Sequence, residues 1–199
     1  WDAELFTGNP NWDVLRSNPK AELPPEEQAF IDGPVNELCE MIDEWQVAHK
    51  DYDLPKEVYD FVKEKGFFSF IIPKEYGGLE FSPLGLIYVM AKIGSRSGTL
   101  ASMVGVPNSL GPAELLMHYG TDEQKKDLLP KLASGEHVPC FALTGPYAGS
   151  DATSMPDTGV VCKGEFEGKE IIGIKLNFSK RYITLAPIAT LIGLAFKMH

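Results

Sequence analysis

The chain is poor in cysteine, in basic residues and in long apolar runs. Cys39, Cys140 and Cys162 are the only cysteines among 199 residues. An odd count without a CxxC spacing indicates neither a disulfide framework nor a zinc site. Reduced, mostly buried thiols in a cytosolic compartment are the simplest expectation. Lys and Arg number 18 against 28 Asp and Glu, a net charge of −10. A nucleic-acid groove and a basic membrane-surface helix both need clustered positive charge, so neither is expected. The longest apolar stretch, Leu185 to Phe196, is about half the length of a membrane-spanning helix and contains Pro187, Thr190 and Gly193. No signal-peptide n-region or h-region precedes the first turn. The 15 Pro and 19 Gly follow no repeat, which excludes collagen-like and low-complexity chains. No His, Asp and Glu cluster at ligand spacing, so no metal is expected.

What remains is an ordinary globular composition, 44% hydrophobic, with enough chain to remove roughly 70% of its unfolded surface from water. Residues 1–24 form an arm. Gly8, Pro10, Asn11, Asn18 and Pro19 break its periodicity, while Trp1, Phe6, Trp12, Val14 and Leu15 predict that it lies against a surface. Residues 25–135 form a helical domain. Val35, Leu38, Ile42, Trp45 and His49 fall on one helical stripe, preceded by a short turn that ends at Gly33-Pro34. Pro55 opens a helix with Val58, Phe61 and Val62 on its apolar face, and Lys65-Gly66 closes it. Phe67 to Pro73 is an apolar run, and Gly77-Gly78 after it implies a positive φ or a close backbone approach. Ser82-Pro83 caps the next helix, with Leu84, Ile87, Tyr88 and Ala91 inside. Small residues from Ser95 to Gly111 let a helix or a ligand pack close. Pro112 to Tyr119 stops at Gly120, and Thr121-Asp122-Glu123-Gln124 is a capping box whose helix bends or ends near Pro130.

Beyond Gly135 the period shifts from 3.6 towards two. Val138–Thr144, Val160–Phe166, Ile171–Leu176, Tyr182–Leu185 and Thr190–Lys197 read as strands, the second and third joined by a Glu167-Gly168-Lys169 turn. The expected class is therefore α+β: an all-α domain, then an antiparallel β domain over 136–199 with no parallel strands. The first residue is Trp1 and the last strand reaches Lys197, so a longer parent chain is expected. A membrane anchor upstream of Trp1 would lie outside this stretch.

The chemistry-bearing segment is Phe141-Ala142-Leu143-Thr144-Gly145-Pro146-Tyr147-Ala148-Gly149-Ser150-Asp151. By residue type it is either an ordinary strand-to-turn junction or a nest of amides able to hold a phosphate or a polar ring edge. The segment resembles the L-T-E-P-x-A-G-S-D signature of the acyl-CoA dehydrogenase family. Lys180-Arg181-Tyr182-Ile183-Thr184 is similar to that family's K-x-W-I-T segment, and Pro73-Lys74-Glu75-Tyr76-Gly77-Gly78 to its P-x-x-Y-G-G turn. Gly120 to Lys125 is similar to G-T-x-E-Q-K, and Leu129-Pro130 with Gly135-Glu136 to L-P-x-L-A-x-G-E. The run from Arg181 to Ala189 looks most like the larger bacterial branch, which opens fatty-acid β-oxidation.

The resemblance implies a helical domain, a middle β-barrel of which 136–199 is the start, and a C-terminal bundle outside this stretch. It implies FAD as cofactor, an acyl-CoA thioester as substrate, trans-2-enoyl-CoA as product, an electron-transfer acceptor protein and a homo-oligomer. Phe141, Leu143 and Thr144 would lie by the flavin ring. Gly149 and Ser150 would bond the cofactor pyrophosphate, or Ser150 the CoA portion of the substrate. Tyr182 would cover one flavin face and Thr184 would place its hydroxyl near N5, both pointing one way if they sit on a strand. The catalytic Glu of the family belongs to the C-terminal bundle, so no catalytic residue is assigned here. Three positions depart from the pattern: Gly145 for the usual Glu, Tyr182 for Trp and Leu185 for Asn. An acyl-CoA oxidase of the same superfamily and a non-catalytic helical–β interaction module are the competing readings.

Overall fold

The computed structural model describes residues 1–17, 22–109 and 111–199. Asn18 and Pro19 of the expected arm lie outside the described residues. Among the described residues of the arm, two short helices form where a loop was expected, α1 (Asp2–Leu5) and α2 (Trp12–Arg16). The Asn11 side chain accepts from the Asp13 N–H and caps α2, a role that breaks periodicity and starts a helix at once. Trp1 meets Trp12 edge-on at 5.7 Å, while Phe6 stays 94% exposed. The expected burial of Phe6 against a surface is therefore not found within this chain.

The helical body runs through α3 (Pro25–Phe30), a wide π turn (Ile31–Val35), α4 (Asn36–Glu40), α5 (Glu44–Gln46) with a second π turn (Val47–Asp51), and α6 (Lys56–Glu64). It continues with α7 (Pro83–Arg96), α8 (Gly98–Gly105), α9 (Pro112–Tyr119) and α10 (Asp122–Ala133). Gly33-Pro34 does not interrupt the first helix as expected. The wide turn takes in Pro34, whose missing N–H would break a tighter ladder. The predicted stripe holds for Val35, Leu38 and Ile42, all buried, and fails for Trp45 and His49. Asp43 caps a new helix by accepting from the Gln46 N–H, which resets the phase. Val47 turns inward instead, and Trp45 stacks on His49 at the surface, 4.1 Å between centroids.

The Phe67–Ile72 run fills the core as a series of turns. Phe30, Phe67, Phe70 and Phe81 pack ring on ring at 5.0–5.7 Å. Both glycines after it are required. Gly77 has φ +83°, and a Cβ at Gly78 would sit 1.9 Å from the Ile72 carbonyl oxygen. Asn108 holds this segment from below. Its amide nitrogen donates to the carbonyls of Phe67 (2.6 Å) and Val104 (2.8 Å), and its oxygen accepts from the Phe70 N–H (2.8 Å).

Ser82 caps α7 as expected, but the buried face is Gly85, Val89 and Ile93, whereas Ile87 is 64% exposed. The reason is Glu27, only 3% exposed, whose carboxylate accepts from the Ser82 N–H (2.6 Å) and hydroxyl (2.7 Å). A Cβ at position 85 would fall 2.1 Å from that tethered carboxylate, so the helix presents its glycine there. The Thr121–Gln124 capping box forms with both reciprocal bonds, and α10 passes through Pro130 without ending.

Five strands follow: β1 (Pro139–Ala142), β2 (Thr158–Phe166), β3 (Lys169–Asn177), β4 (Leu191–Leu194) and β5 (Lys197–Met198). β2 and β3 form the expected antiparallel hairpin, from Thr158↔Asn177 to Phe166↔Lys169. Two pairings correct the all-antiparallel expectation. β1 runs parallel to β4, with Pro139↔Leu191 through Ala142↔Leu194, and β2 runs parallel to β5. Periodicity reveals that a segment is extended but not the direction of its neighbour. Here the excursion from 143 to 190 is long enough to return the chain in the same direction, as parallel pairing requires. The crossover is made of loops and a hairpin, so no βαβ unit arises. Leu191 packs on the cluster of Ile72, Ala113, Leu129 and Leu132, and Leu185 on the cluster containing Phe70 and Ile93. These two contacts seat the β region on the helices.

Candidate functional site

Two segments that are forty residues apart in sequence meet beside the end of α8. Phe141, Leu143 and Thr144 form one wall of an open cleft of about 240 Å³, and Tyr182, Ile183 and Thr184 form the other. Val106 and Ser109 make its floor. Five of the residues singled out in the sequence are thus brought together. Gly149 and Ser150 are not among them: both are exposed and do not line this cleft. They lead into a turn in which the Asp151 carboxylate accepts from the hydroxyls of Thr153 (2.8 Å) and Ser154. Those bonds, Ser154 first, hold the Asp151 carboxyl below its ordinary range.

The expected strand over Tyr182–Leu185 does not form. Tyr182 and Leu185 both take left-handed backbone, φ +59° and +65°, and such residues end an extended run. The two-residue alternation argument for Tyr182 and Thr184 therefore lapses, yet both residues line the cleft. Asn, which the family usually has at position 185, tolerates this conformation well. Leu185 adopts it with its side chain against the helical core. The ring of Tyr182 is 82% exposed, with the Arg181 guanidinium 5.0 Å from its centroid. Arg181 also donates to the Pro146 carbonyl (3.2 Å).

Behind the cleft lies a pair that sequence reasoning missed. Lys180 Nζ lies 2.7 Å from Asp157 Oδ2, and the two side chains are 5% and 2% exposed. The ammonium also donates to the Leu143 carbonyl (2.8 Å), and Asp157 Oδ1 accepts from the Ser179 N–H (2.8 Å). One backbone bond adds to this link, from Arg181 N–H to the Thr144 carbonyl (3.1 Å). Lys180 stood out as part of a motif, but no spacing signal ties it to an aspartate 23 residues earlier. Val106 and Ser109 were foreshadowed only by the small-residue stretch around them.

The Lys180 ammonium, donating to Asp157, holds that carboxyl below the ordinary carboxylate range, with burial opposing and the Ser179 N–H assisting. A carboxyl whose pKa is lowered by folding stabilises the fold above its unfolded pKa, and that contribution fades as pH falls through the folded value. The stability gap between the parent and Asp157→Asn should therefore be widest near neutrality and shrink on acidification. Thermal unfolding midpoints of both between about pH 7 and pH 3 would measure it. A gap independent of pH would show that the pair contributes through shape alone. Cys140 is fully buried and its thiol is pushed up by burial, which leaves it inert. Among the described residues no group of His, Cys, Asp or Glu is placed to hold a metal.

Residues 26–136 match the family described as acyl-CoA dehydrogenase, N-terminal domain. The chain belongs to the acyl-CoA dehydrogenase family. It is 38% identical over 140 residues to a 3-(aryl)acrylate reductase of Clostridium sporogenes, which covers 70% of this chain and 35% of that protein. It is 30% identical over 139 residues to an acyl-CoA dehydrogenase of Bacillus subtilis, covering 70% and 34%. The chain thus spans about a third of the length of these relatives. An acyl-CoA dehydrogenase of Bacillus anthracis, solved with FAD, aligns at TM-score 0.59 and 28% identity over 86% of this chain and 24% of that one. Butyryl-CoA dehydrogenase of Megasphaera elsdenii aligns at TM-score 0.72 and 22% identity, over 88% and 45%, and shares the fold. FAD is the cofactor of this family. The cleft suits one side of such a ring: an exposed aromatic face, apolar Phe141, Leu143 and Val106, and three hydroxyls for polar edge atoms.

Proposed function

We propose that this chain is the helical and early β portion of an FAD-dependent enzyme that oxidises acyl-CoA thioesters to trans-2-enoyl-CoA in fatty-acid β-oxidation. The observation that carries this reading is the meeting of the two motif segments in one cleft with an exposed tyrosine ring and two threonine hydroxyls. When bound, flavin supplies the hydride acceptor. In this reading Phe141, Leu143, Thr144, Tyr182 and Thr184 hold the ring and exclude water from its covered side. Gly149 and Ser150 reach the cofactor pyrophosphate or, through Ser150, the CoA portion of the substrate. The proton-abstracting carboxylate is contributed from outside these residues. Electron transfer to an acceptor flavoprotein, self-association and a cytoplasmic location belong to the same proposal. An aligned solved structure concerns an electron transferring flavoprotein of Acidaminococcus fermentans, and the three cysteines are all unpaired.

The 38% identical acrylate reductase supports a second reading, in which the same carbon–carbon bond is worked in the reducing direction. One experiment separates them. The protein, expressed from its full reading frame and loaded with FAD, is mixed with saturated acyl-CoA thioesters of several chain lengths under anaerobic conditions. Bleaching of the flavin absorbance is the expected result. Bound flavin that no saturated thioester bleaches, but that is reoxidised after chemical reduction by an unsaturated thioester or acrylate, would replace dehydrogenation by reduction.

A further inference from the structure

We infer that Asp157 and Lys180 are a positioning pair that sets the spacing between the two walls of the cleft and so governs how tightly it holds flavin. The inference rests on the flavin reading of that cleft. Lys180 is two residues from Tyr182 on one wall, yet its ammonium donates to the carbonyl of Leu143 on the other (2.8 Å). Asp157 is the fixed point. Its backbone carbonyl accepts from the Lys197 N–H (2.9 Å) just before β2 begins, and its second carboxylate oxygen holds the Ser179 N–H. Three segments (143–144, 155–157 and 179–181) are thereby joined at one buried charge pair.

A buried ion pair contributes little net stability compared with well-packed apolar residues, because both charges lose their hydration. What it does provide is a directional, all-or-none geometry. The Gly145 departure fits the same arrangement. A Cβ there would stand 3.0 Å from the Ser179 carbonyl oxygen and 3.8 Å from Asp157 Oδ2, so a side chain would crowd the pair. Asp157 thus places a carboxylate oxygen beside position 145, where the family pattern has a Glu.

The test uses the protein from its full reading frame, as Asp157→Asn, Lys180→Met and the double variant. The readouts are the FAD dissociation constant, the visible spectrum of bound flavin, and amide hydrogen exchange at Ser179 and Arg181 without flavin. Each single variant is expected to weaken FAD binding about 10- to 100-fold, with the loss of an outer supporting contact at a metal site as the guide, and to speed exchange at both amides. A single variant leaves an unmatched buried charge or carboxamide, which is the case in which folding can fail. The double variant removes both charges and carries the test in that case. Its unfolding temperature should return towards the parent value, while FAD affinity and spectrum should not. Recovery of affinity and spectrum together with stability would reduce the pair to a structural contact. If the parent itself binds no flavin, the functional reading falls. The exchange comparison then still judges the pair, and unchanged protection at Arg181 overturns it.

Discussion

Thr184→Val is expected to slow flavin reduction by about 10- to 1,000-fold, with the loss of one preorganised hydrogen-bond donor as the guide. Thr184 lines the cleft together with Thr144, and valine removes its hydroxyl at nearly constant shape. A donor that meets charge as it develops at a ring edge stabilises the transition state more than the bound ground state. FAD affinity should therefore change little, which separates this variant from those of the Asp157–Lys180 pair. Stopped-flow bleaching by a saturated acyl-CoA reads the step directly. An unchanged reduction rate would leave Thr184 as a packing residue.

The second large effect concerns Asn108. Replacing it by leucine removes the partners of the Phe70 N–H and the Phe67 and Val104 carbonyls, all beside fully buried side chains. Leaving a buried polar group unsatisfied costs about 1–3 kcal/mol, so three such groups put the destabilisation at about 3–9 kcal/mol. Urea unfolding of the parent and Asn108→Leu would show it as a lowered midpoint. The variant should also loosen the cleft, because Val106 and Ser109 flank Asn108 and form the cleft floor. A loss below about 1 kcal/mol would mean that the backbone around Phe67–Phe70 finds other partners.

Local signals in the sequence were decisive wherever one residue type has one physical use. The Thr121–Gln124 box, the Ser82 cap, the stop at Gly135 (φ +70°) and the Gly77-Gly78 turn all form as the residues require. The α+β order likewise follows from the change of period near Gly135. Where phase had to be carried across a break, periodicity failed: Asp43 restarts the helix, and Trp45 and His49 leave the buried stripe.

Of the candidate site, the sequence alone named the two segments that meet and five side chains that line the cleft. It also named Gly149 and Ser150, which stand apart from it. Only the tertiary structure decided that Tyr182–Leu185 forms no strand, that β1 and β4 run parallel, and that Asp157 closes on Lys180. The physical reason is common to all three. Capping, left-handed glycine and hydrophobic period are set by neighbours a few residues away. A strand's partner, a strained non-glycine φ and a buried counter-charge are set by chain that returns from twenty to fifty residues off.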